Sequence, residues 1–148
     1  MSLIQRIEQE YLAAYKAKQE TVLLTLRAVK TACKLKQVEL RRPLEDADVL
    51  GVLQKEAKQR QESIDQFTAA GRDDLAAKEA AELAVLRMFL PEAMPEEALR
   101  AVVDETVTHL GAASIQDMGK VMQAIMAEHK GKVDGKALSA LVKARLQH

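Results

Sequence analysis

The chain has 148 residues with 22 basic and 22 acidic side chains, so its formal charge is zero and bulk attraction to nucleic acid or membrane is excluded. Two Tyr, two Phe and no Trp leave little for a base-stacking platform, and a single cysteine, Cys33, excludes an intrachain disulfide or a cysteine-built zinc site. Helix-forming Ala, Lys, Glu, Gln and Leu dominate, interrupted by only three Pro and six Gly. No apolar run approaches the length of about 18 residues that a spanning helix needs, and the opening MSLIQRIEQEY has no apolar signal core. The expectation is an all-α, cytoplasmic protein without a membrane partner.

Ser2 can cap a first helix, on which Leu3, Ile4, Ile7, Tyr11 and Ala14 form an apolar stripe. The stripe loses phase between Lys16 and Glu20, which predicts a small hinge before a second helix entered at Thr21. At about 100° per residue, Arg27, Lys30, Lys34 and Arg41 fall within an arc of about 60° on that helix. Val22, Leu26, Val29, Cys33 and Leu40 take a neighbouring arc. From Arg27 to Arg42 six basic residues stand against one acid, Glu39. The row is either a solvated face answered by acids on another helix, or a rail for phosphate or an acidic partner.

Pro43 ends this helix by pushing the residue before it out of the α region. Glu45 and Asp46 lead into a third helix, with Val49, Leu53, Ala57, Arg60, Ile64 and Phe67 along one face. Arg60 intrudes on that stripe, either as a snorkelling side chain or as half of an internal ion pair. Gly71 stops the helix, and Arg72, Asp73 and Asp74 start a fourth that carries Leu75, Leu83, Leu86, Phe89 and Leu90 and ends at Pro91. Glu79 and Glu82 share a face without any histidine at helical spacing, and read as surface acids.

The segment Pro91 to Pro95, PEAMP, is the best linker, because two prolines this close discourage a continuous helix. It predicts an N-terminal bundle of about four helices over residues 1–93 and a three-helix subdomain over 94–148. The fifth helix has Glu96 and Glu97 in its first turn, takes Leu99, Val102, Val103, Val107 and Leu110 as its apolar face, and stops at Gly111. The sixth starts at Ser114 with Asp117 three residues on, presents Met118, Met122, Ile125 and Met126, and stops at Gly131. Gly119 inside it suggests close approach by another helix or by a ligand backbone. Asp134 caps the seventh, which buries Leu138, Leu141, Val142 and Leu146. Acids gather in residues 95–119 and bases in 120–148, and Lys130 and Lys132 fall in a turn.

Two long segments resemble a known family. QKEAKQRQESIDQFTAAGRDDLAAKEAAELAVLRMFLP, Gln54 to Pro91, and SIQDMGKVMQAIMAEHKGKVDGK, Ser114 to Lys136, resemble the YqeY family of small bacterial proteins. The same pattern forms the C-terminal tail of GatB, a subunit of the glutamine-dependent aspartyl/glutamyl-tRNA amidotransferase. The resemblance implies a helical bundle followed by a compact three-helix unit, with tRNA, or components of tRNA-dependent amidation, as partners. It supplies none of the kinase-like or amidating chemistry, which lies in another domain of that subunit. Where the family often has a Ser or Thr cap, this chain has Glu45.

No catalytic, cofactor-binding or metal-binding residues emerge. His109, His129 and His148 lack metal-ligand spacing, and Cys33 falls on an apolar arc, where a thiol is buried and inert. The candidate RNA contacts are Arg27, Lys30, Lys34, Arg41, Lys120, Lys130, Lys132 and Lys136. The competing reading is a protein-interaction module that docks through helix faces without nucleic acid.

Overall fold

The computed structural model describes residues 1–129 and 132–147, and among them the chain is all helical, without a strand. Seven α-helices follow in order: α1 Leu3–Lys16, α2 Glu20–Leu40, α3 Asp46–Ala69, α4 Asp73–Arg87, α5 Glu96–Leu110, α6 Met118–Glu128 and α7 Gly135–Leu146. A 3-10 turn, Ile115–Asp117, leads into α6. The chain divides into two compact units, Met1–Leu90 and Pro91–His148.

In the first unit, local chemistry starts and stops the helices. Ser2 Oγ accepts the Gln5 N–H, and the Gln5 side chain accepts the Ser2 N–H, so two otherwise orphaned donors are satisfied at the head of α1. Asp46, at the start of α3, accepts the Leu3 N–H at 2.9 Å and so serves α1 from a distant part of the chain. Lys18 and Arg41 take left-handed backbone at the ends of α1 and α2, and Gly71 does so at 74° between α3 and α4. The stripes meet around Ile7, Leu26, Val29, Cys33, Val49, Leu53, Leu86 and Phe89. Arg6 ties α1 to the end of α4, donating to the Met88 carbonyl at 2.7 Å with its guanidinium 5.0 Å from the Phe89 ring centre.

Glu45 stands at the α3 cap, and Asp48 carries the capping there. Its carboxylate accepts the Glu45 N–H at 2.8 Å and a two-pronged bond from the Arg42 guanidinium at 2.7 and 3.1 Å. The Arg42 bond, followed by the backbone bond, lowers the Asp48 pKa from its ordinary 3.8 to about 2. Ionised Asp48 therefore favours the folded chain above its ordinary pKa, and this contribution disappears as pH falls through about 2. A carboxyl titration followed by NMR should place Asp48 near that value, and Arg42→Ala should move it up. An ordinary Asp48 titration in the wild type would contradict the Arg42 bond.

The second unit has its own core of Leu99, Val103, Val107, Val121, Ile125, Leu138, Val142 and Leu146, with Met94 packed against it. The Met94 N–H donates to the Lys132 carbonyl at 2.9 Å and pins the entering chain to the turn before α7. Gly111 ends α5 in the left-handed region, and the Asp134 carboxylate accepts the Lys136 N–H at the start of α7. The helical stop assigned to Gly131 lies outside the described residues.

Three sequence expectations are corrected here. A side chain built at Gly119 would meet nothing within 4 Å among the described residues, so no other helix of the chain packs closely there. Leu110 and Met126 are exposed and not core residues. On α6 the fully buried side chains are Val121 and Ile125, with Met118 and Met122 at the margin. The packed face is thus rotated from the methionine stripe toward the β-branched residues.

Candidate nucleic-acid interface

The basic residues of α2 do not behave as one row. Lys30 sits with its ammonium 2.9 Å from Glu8 and 4.1 Å from the centre of the Tyr11 ring. Both partners belong to α1, so Lys30 clips the two helices together. Arg27 is exposed and reaches toward the same Tyr11, its guanidinium 3.5 Å from the hydroxyl. Lys34 is exposed and has no carboxylate within ion-pair distance among the described residues. Arg41 has left the helical face altogether, because its left-handed backbone forms the C-cap of α2. A projection at a fixed angle per residue cannot anticipate that departure.

In the second unit Lys120, Lys132 and Lys136 are all exposed. Lys120 lies near Asp117, whose carboxylate is held below its usual range by the N–H groups of Ala113 and Ser114, with a smaller contribution from Lys120. Lys132 and Lys136 bracket the start of α7, with no ion pair to either among the described residues. Asp134 between them is turned onto the Lys136 N–H. The helix N-terminus is thus already served by a carboxylate, and among the described residues no carboxylate holds the two lysine ammonium groups. Lys130 lies outside the described residues.

Groups with reactive potential are arranged structurally. Cys33 is buried, and burial, then the nearby Glu56 charge, pushes its thiol pKa up, which disfavours the nucleophilic thiolate. His109 is exposed in the last turn of α5, and His129 stands 4.0 Å from Glu128. His148 lies outside the described residues. Among the described residues no group of His, Cys, Asp and Glu is placed to hold a metal ion. A shallow cleft of about 330 Å³ between α5 and α7 is lined by Arg100, Val103, Asp104, Leu141, Ala144 and Arg145. Its charges are already paired, Arg145 with Asp104 at 2.9 Å and Arg100 with Glu96 at 2.8 Å.

Sequence reasoning missed the exposed apolar side chains beside the α2 cations. Leu35 is 67% exposed and Val38 71%. Both fall outside the apolar arc of Val22, Leu26, Val29, Cys33 and Leu40, and that leftover position was the available signal.

Comparison with known proteins bears on the whole chain. The family described as Yqey-like protein matches residues 4–146. An uncharacterized protein of Schizosaccharomyces pombe is 37% identical over 86 residues, covering 58% of this chain and 70% of that protein. The Eremothecium gossypii protein named altered inheritance of mitochondria protein 41, mitochondrial, is 35% identical over 95 residues, covering 62% of this chain. That match spans about half of the relative, 52% of its length. Both relatives are fungal, so likeness to this family is not confined to bacteria.

Proposed function

The chain belongs to the YqeY-like family, and from that premise we propose that it is a helical binding module that contacts the backbone of folded tRNA and acts as an accessory to tRNA-dependent amidation. The chemistry of amide transfer would belong to a partner, and the setting would be the cytoplasm. The observation that carries the reading is the pair Lys132 and Lys136, exposed at the start of α7 with no carboxylate in ion-pair distance among the described residues. Lys120 adds a third exposed cation to the same unit. The likeness of Ser114 to Lys136 to an amidotransferase tail supports tRNA as the polyanion.

With so few aromatic residues, recognition would run through RNA shape and phosphate rather than stacked bases. Each phosphate that a lysine neutralises releases counterions, so binding should fall steeply with salt. The deciding measurement is a titration against bulk tRNA between about 50 and 200 mM salt. Lys132→Glu combined with Lys136→Glu should weaken binding across the range and reduce the log–log salt slope by roughly one per lost contact. The melting temperature should hardly move, since neither side chain supports the core and an acid in the first turn of α7 suits the helix dipole. No binding at the low-salt end, or binding indifferent to salt, would end the tRNA reading.

Protein docking is favoured by a separate observation. The α2 cations border exposed Leu35 and Val38, side chains for which phosphate has no use.

A further inference from the structure

Ten large apolar side chains are exposed among the described residues, and five of them, Leu12, Tyr15, Leu24, Leu35 and Val38, lie on α1 and α2. On α2, Leu24, Thr31, Leu35 and Val38 recur at steps of seven, four and three. That spacing places them in one stripe on the side of the helix opposite Leu26, Val29 and Cys33. From Leu24 to Val38 the stripe is about 21 Å long at about 1.5 Å per residue. Arg27 and Lys34 run along one edge of it. The only acid between Arg27 and Arg42 is Glu39, and it is engaged with Lys36 at 3.7 Å. On α1, beside the Glu8 and Tyr11 that contact α2, Leu12 and Tyr15 are exposed as well.

We infer that the outer face of α2 docks an amphipathic helix of a partner protein whose apolar stripe is flanked by acidic residues. An exposed aliphatic stripe at helical spacing is what a helix-in-groove partner fills with anchors at matching spacing. Charge complementarity selects the occupant. Arg27 and Lys34 meet the acids of such a helix, whereas the α2 face of a second copy would set cations against cations. RNA would engage the cations and leave Leu35 and Val38 unused. The inference is independent of the tRNA reading, which rests on lysines of the other unit.

The test uses the full chain and a synthetic helical peptide of about 18 residues, long enough to cover the stripe, with Leu at alternating steps of three and four and Glu on both flanks. A second peptide replaces every Glu by Gln. By fluorescence anisotropy the Glu peptide should bind saturably and the Gln peptide about tenfold more weakly. Leu35→Lys with Val38→Lys should abolish binding with an unchanged melt, because both side chains lie outside the core. Lys34→Glu should weaken the Glu peptide and spare the Gln peptide. Equal binding of the two peptides, no binding of either, or full binding by the Leu35→Lys, Val38→Lys chain would overturn the inference. Displacement of the Glu peptide by bulk tRNA would assign the face to RNA instead. A dimer in sedimentation that the same double substitution dissociates would assign it to a second copy.

Discussion

Glu56→Ala should destabilise the first unit by about 2–3 kcal/mol, a large effect for a single polar residue. Arg60 and Glu56 form an ion pair one helical turn apart on α3, with side chains only 12% and 17% exposed. The Arg60 guanidinium also donates to the Glu56 carbonyl at 3.3 Å, and its buried Nε has no hydrogen-bond partner among the described residues. Removing Glu56 leaves a largely desolvated cation with even fewer partners. Removing both charges is a different matter, because desolvation offsets much of the attraction within a buried pair. Glu56→Leu with Arg60→Met should therefore return stability to the wild-type level or above it. Urea unfolding of the three chains decides this through the midpoint at constant slope. If Glu56→Ala unfolds at the wild-type midpoint, the pair is too wet to matter and Arg60 acts only through its aliphatic stem.

The second large effect concerns separation of the units. A chain of residues 1–90 should keep its helicity and melt cooperatively, because its core residues, from Ile7 to Phe89, all lie within it. Residues 91–148 also contain a closed core, from Leu99 to Leu146. Yet a unit that short buries a smaller fraction of its surface than a larger domain does and should be marginal alone. Circular dichroism melts of the two pieces should show a clear transition for the first and a low, broad one for the second. Loss of helicity in the 1–90 piece would show that one unit completes the other's core, and the subdomain reading of residues 1–93 and 94–148 would fail with it.

The sequence by itself determined that this protein is all helical and where most helices begin and end. Those decisions are local. Ser2 needs only Gln5 three residues on, Gly71 and Gly111 need only freedom to take positive φ, and Asp134 needs only the Lys136 N–H. The long segments shared with the YqeY-like family carry the same local information, and the family match runs over residues 4–146. A helical projection also separated Leu26, Val29 and Cys33 from the cations of α2 without knowing any neighbour.

What lay on the far side of each surface was decided only by tertiary structure, because a projection fixes an angle and says nothing of the group that meets it. Lys30 and Lys34 sit one turn apart on α2, yet Glu8 and Tyr11 of α1 hold the first and, among the described residues, no carboxylate pairs with the second. Arg60 could have snorkelled or paired, and Glu56 on its own helix settled which. Gly119 was open to a close helix, and among the described residues no other helix packs there. Leu35 and Val38 are as apolar as Leu26 and Val29, and they differ in that no other helix of the first unit covers them.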